Sequence, residues 1–188
     1  MWIELFTLAT LYGITGLKSS TVSSKSVQIT QITAFCVLWV PFRWLQTSVG
    51  RTSNRELQIT EAYGDFLFAA ARISNGEIRI DGYHSDVDHD TFTLGTGAQE
   101  VFFNLNGKPY TFSAQFYYDW LDCAIIDYVN DILEEQGIAS RLWCMYDGEQ
   151  GFVVLCNTAE WAQTFSKRTN YPLALKANEA MKIFSSRG

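Results

Sequence analysis

Histidine occurs only twice in this chain of 188 residues, proline three times and cysteine four times. Cys36, Cys123, Cys144 and Cys156 lie singly in apolar runs with no Cys-x-x-Cys pair, which argues against structural zinc and a disulfide framework and leaves buried free thiols as the expectation. Also missing are a dinucleotide or Walker fingerprint, because GTGAQE at 95–100 lacks the third glycine and leads into a strand, and a G-x-S-x-G elbow. No cofactor is expected. There is no internal repeat and no low-complexity tract.

Positive charge is scarce in one region above all: between Pro109 and Ser140 there is no Lys or Arg. The whole-chain net charge of −6 hides an asymmetry, since residues 1–55 hold five basic groups against Glu4 alone, whereas residues 56–188 hold nine basic and nineteen acidic groups. This divides the chain near Arg55 into a basic, apolar, Ser/Thr-rich segment, 1–55, and an acidic domain, 56–188. Phosphate backbones repel such an acidic surface, so direct nucleic-acid binding is not expected, and a basic protein partner fits better.

The N-terminal segment has two uncharged stretches, from Leu5 to Leu17 and from Ser26 to Phe42. Either residues 1–45 contact a membrane, with Arg43, Arg51 and Arg55 holding the acidic domain on the cytoplasmic side, or the segment packs in the core, as the strand-like alternation of VQITQIT suggests. A cytoplasmic location is expected in both cases. A secretory signal is disfavoured because Met-Trp-Ile-Glu lacks a basic start.

What is present in abundance is apolar and aromatic material, 47% and 15% of the chain, enough for a substantial core. Asn75-Gly76 and Asn106-Gly107 each read as a two-residue hairpin turn, the first joining FLFAAARIS to EIRIDGY with Arg72 opposite Arg79, the second placing Phe103 opposite Tyr110 and Pro109 opposite Asn104. RLWCMY and FVVLC, flanking DGEQG, form a third hairpin that is apolar on both faces and so belongs mid-sheet. Between the second and third lies a helix capped by Asp119 and ended by Gly137; a second helix starts at Asn157 or Thr158 and a third at Pro172. The expected fold is α+β, an antiparallel sheet of three hairpins with two or three helices packed on it, plus the apolar N-terminal segment.

Two clusters carry potential chemistry. YHSDVDHD, residues 83–90, holds both histidines among three aspartates, and His84, Asp86, Asp88 and His89 are candidate metal ligands. An EF-hand is excluded, because Thr91 stands where glycine is required and Gly97 where a bidentate glutamate belongs. The other cluster is the first helix, whose Asp119, Asp122, Asp127, Asp131, Glu134 and Glu135 have no basic residues at i+4 to balance them. With Tyr117 and Trp120 at its border, this helix reads as a docking face for a basic protein partner. The leading expectation is therefore a non-enzymatic interaction module of inhibitor or immunity type. A metal-dependent hydrolase centred on His84 and His89, and a membrane-tethered accessory subunit, stay open as alternatives.

Overall fold

The computed structural model of the protein describes residues 37–41, 53–117, 120–148 and 151–186, with side chains described from residue 61 onward. All of them belong to a compact unit spanning Val37–Gly188, and the other unit, Met1–Cys36, lies outside them. In chain order the elements are β1 (Val37–Pro41), α1 (Ser53–Ile73), β2 (Ile80–Val87), α2 (His89–Leu94), β3 (Thr96–Leu105), β4 (Lys108–Tyr117), α3 (Ala124–Glu135), β5 (Ser140–Tyr146), β6 (Gly151–Thr158), α4 (Ala159–Thr169) and α5 (Ala177–Ser185). The class is α+β. In place of one sheet of three hairpins there are two antiparallel sheets of three strands, ordered β1-β6-β5 and β2-β3-β4.

The first expected hairpin is not formed. Asn75 and Gly76 do adopt the two positive φ values, 54° and 87°, that the dipeptide favours. They follow the end of a 21-residue helix, however, rather than joining two strands. Ala62, Tyr63, Phe66, Leu67 and Ala70 recur at helical spacing and are all buried, so tertiary packing rewards the 3.6-residue period over the two-residue one. Arg72 therefore lies in the last turn of α1 and does not oppose Arg79. Gly64, inside this helix, is placed where an added Cβ would stand 2.6 Å from Tyr83 Cε1, so the Tyr83 ring packs flush against the helix backbone. That close approach explains a residue with poor helix propensity in mid-helix.

The second hairpin forms in the expected register, with Phe103 opposite Tyr110, Val101 opposite Phe112 and Asn104 opposite Pro109. Asn106 and Gly107 supply its positive φ values, 54° and 80°. Along β3 and β4, Val101, Phe103, Leu105, Phe112, Ala114 and Phe116 are buried in alternation with more exposed neighbours, a strand pattern with one face on the core. The third hairpin also forms; β6 is buried on both faces from Gly151 to Leu155, as expected, whereas β5 is fully buried on one face only, with Arg141, Trp143 and Met145 half-buried on the other. Only β6 is central, because β1 flanks it on the other side, pairing from Val37 with Leu155 to Pro41 with Gly151.

That pairing bears on the Ser26–Phe42 stretch, whose Val37–Pro41 portion is a sheet strand and not part of a continuous helix. Residues 26–36 and the Leu5–Leu17 stretch lie outside the described residues. Among the described residues no helix is long and apolar enough to cross a membrane.

Helices α1 and α3 join the two sheets. The first packs against β1, β2 and β6, the second against β4, β5 and α5. Phe66, Leu67, Phe103, Leu105, Ile125, Ile126, Leu133, Leu142 and Phe152 are all buried in one continuous core, each worth ~1.5–3 kcal/mol of transfer free energy. Thr158 caps α4, its hydroxyl accepting from Trp161 N, as expected. The last helix starts at Ala177 rather than Pro172, because Ala174 instead pairs with Cys144 as a one-residue bridge on the edge of β5.

Candidate protein interface

Helix α3 turns Ile125, Ile126, Val129, Asn130, Ile132 and Leu133 inward. By helical geometry its remaining positions face outward, which strings Asp127, Asp131 and Glu134 along one ridge at i, i+4 and i+7. Asp131, Glu134 and Glu135 are exposed, and Asp127 is half-buried.

The six expected acids have different local roles. Asp119 lies outside the described residues. Asp122, just ahead of α3, accepts from Ala124 N at 3.0 Å and from Gln115 N at 2.9 Å, so it caps the helix and ties it to β4. The cap expected from Asp119 is thus supplied three residues later. Asp127 accepts from Ala177 N at 3.1 Å and so caps a second helix, α5, which has no side-chain cap of its own. Glu135 makes a loose pair with Lys108 at 3.8 Å. Asp131 and Glu134 form no ion pair among the described residues.

Where α3 and α5 begin side by side, a cleft of about 530 Å³ opens, lined by Tyr117, Trp120, Leu121, Asp122, Asp127 and Met181 among others. Tyr117 is 58% exposed and Trp120 41%, and the two stand across a one-residue bridge at the end of β4. The structure therefore brings both expected aromatic residues to the same place as the first acids of the helix. Nothing local in the sequence indicates that α5, which carries Met181, would start beside α3.

Desolvation lifts the Asp127 carboxyl above its usual range; the charges of Asp131 and Glu179 act the same way, while the Ala177 N–H and Lys176 oppose them. A carboxyl whose folded-state pKa is raised binds protons more tightly in the folded chain, so its contribution to stability falls as pH rises through the carboxylate range from 3.8 upward. Ionised Asp127 is then a cost at neutral pH. Asp127→Asn keeps an oxygen for Ala177 N and removes the charge. It is expected to raise stability at pH 7 by less than about 1 kcal/mol, given solvent screening, and to flatten the decline between acid and neutral pH. Urea midpoints of both proteins at several pH values check this; a variant less stable than the parent at pH 7 would refute it.

The histidine and aspartate stretch is divided between two elements. His84 and Asp86 lie on β2, where His84 stacks on the cross-strand Phe102 at 4.5 Å between ring centroids. Asp88 caps α2, accepting from Thr91 N at 2.9 Å and Thr91 Oγ1 at 2.6 Å, and these bonds hold its carboxyl below the usual range. His89 is the first residue of that helix. The chain therefore leaves the strand direction between the two histidines. Among the described residues no group of three or more His, Cys, Asp or Glu side chains is placed to hold a metal ion.

Cys123, Cys144 and Cys156 are free thiols, the first two buried. Burial pushes all three upward, Cys144 and Cys156 to about 12, the opposite of what a nucleophilic thiolate needs. Compared with protein-family models, with curated proteins and with solved structures, the chain matches none.

Proposed function

We propose that the protein is a non-enzymatic interaction module that binds a basic protein surface through the α3 ridge and the cleft at its start. The observation that carries this reading is the junction of exposed Tyr117 and Trp120 with Asp127, Asp131 and Glu134 on one side of the molecule. Aromatic side chains supply contact area at an interface core, and the acids supply complementarity toward a cationic surface. Covering the basic, nucleic-acid-binding surface of another protein is the kind of inhibitory action this chemistry serves.

The test is a titration of the full chain with a hexa-arginine peptide at low and moderate salt, against Asp131→Lys combined with Glu134→Lys, and against Glu160→Lys on α4 as a control for a charge reversal away from the ridge. Binding is expected to weaken with salt and, in the double variant, by about tenfold or more, as expected for removing a complementary charge pair. Glu160→Lys should bind like the parent. Affinity indifferent to salt, or weakened equally by the control, would overturn the reading.

A further inference from the structure

The ridge accounts for attraction to a basic surface but not for choice among basic surfaces, because exposed charges act through screened solvent. The cleft has walls of another kind. Besides Tyr117 and Trp120, its lining includes Leu121, Met181 and the carboxylate of Asp127, whose one hydrogen bond among the described residues is accepted by Oδ1, with none accepted by Oδ2.

Resting on the basic-partner reading above, we infer that this cleft receives a single arginine side chain of the partner, its guanidinium stacked on Trp120 and Tyr117 and one N–H donated to Asp127 Oδ2. A planar, weakly hydrated guanidinium stacks on aromatic faces and still donates in its own plane, which a compact, strongly hydrated ammonium does less well. The methylene stem of the arginine lies along Leu121 and Met181.

Two helix N-termini meet at this cleft, and on their own they would favour an anion. Each carries roughly half a positive charge, however, and each is capped by a full carboxylate, Asp122 on α3 and Asp127 on α5. Lys176 adds one positive charge near Asp127, and Glu179 and Asp131 add two negative ones. The balance is negative, so the cation wins.

The experiment uses the full chain labelled with ¹⁵N and three capped peptides that differ only at their central residue: Gly-Ser-Arg-Ser-Gly, the lysine form and the citrulline form. The arginine peptide should move the Trp120 indole N–H and the Ala177 amide saturably. The lysine form should bind at least about threefold more weakly, and the neutral citrulline form should leave both signals in place. Asp127→Asn, which retains the α5 cap, should abolish the preference for arginine over citrulline. Equal responses to all three peptides, or no movement of Trp120 and Ala177, would overturn the inference. If the Asp131 and Glu134 amides still respond to hexa-arginine in a salt-dependent way, the broader reading survives that failure; if Trp120 and Ala177 respond while the ridge does not, the ridge reading fails and the cleft stands.

Discussion

Replacing Asn130 by alanine is expected to cost about 3 kcal/mol or more of folding stability, a large share of what a domain of this size possesses. Asn130 is 4% exposed, an unusual place for an amide on a helix. Its Oδ1 accepts from Leu142 N at 2.7 Å, and its Nδ2 donates to Leu142 O at 2.9 Å and to Leu175 O at 3.1 Å. Two residues further along β5, Cys144 and Ala174 exchange backbone bonds of 2.8 and 2.9 Å. The side chain thus acts as one more residue of the strand that covers the edge of β5. Alanine would leave two buried backbone groups, Leu142 N and O, and the part-buried Leu175 O without this partner, each buried group costing ~1–3 kcal/mol before any water enters, and would uncover a pairing edge. Urea unfolding of Asn130→Ala and Asn130→Asp checks this. The aspartate keeps the acceptor but loses the donor and buries a charge, so it should be at least as damaging. A loss below about 1 kcal/mol for alanine would show that the edge is held by other means.

The comparison of Phe66→Ala with Phe68→Ala should give an equally clear result. On the helix, Phe66 is 1% exposed within the core whereas Phe68 is 39% exposed and touches Tyr83 edge-on at 6.2 Å. Removing a buried phenylalanine costs ~3–5 kcal/mol through lost transfer energy and a residual cavity. Removing Phe68 forfeits one aromatic contact and partial burial, about 1.5 kcal/mol at most. Were residues 66–74 a strand, the two positions would share a face and their costs would be alike. Similar losses at the two sites would therefore contradict the helical assignment of α1.

The failure at Asn75-Gly76 is instructive beside the success at Asn106-Gly107. In both places the dipeptide takes positive φ at two successive residues. That is a local property of asparagine and glycine, and it was legible. What flanks the turn was not, because FLFAAARIS satisfies a buried helix as well as a strand, and only the seat of Phe66, Leu67 and Ala70 against both sheets decides between them. Around Asn106 no such ambiguity arose, since VFFNL and KPYTFSAQFY alternate clearly and β-branched and aromatic residues crowd the helical alternative. The side chain of Asn106 also holds the segment after the first turn, accepting from Arg79 N and donating to Glu77 O, a contact across 27 and 29 residues that no local pattern encodes.

The candidate interface divides in the same way. The acid-only helix, its outward stripe and its aromatic border could be read from residue type and a 3.6-residue period, because those depend on the chain within a few turns. The carboxylate roles could not. Asp122 and Asp127 look like surface charges in sequence, yet one reaches back to β4 and the other reaches 50 residues forward to cap α5. Periodicity and turn chemistry are short-range and therefore written locally. The pairing of β1 with β6, the partners of buried amides and the meeting of two helix starts around one cleft arise only when distant segments bury apolar surface together, and that balance is settled by the whole chain at once.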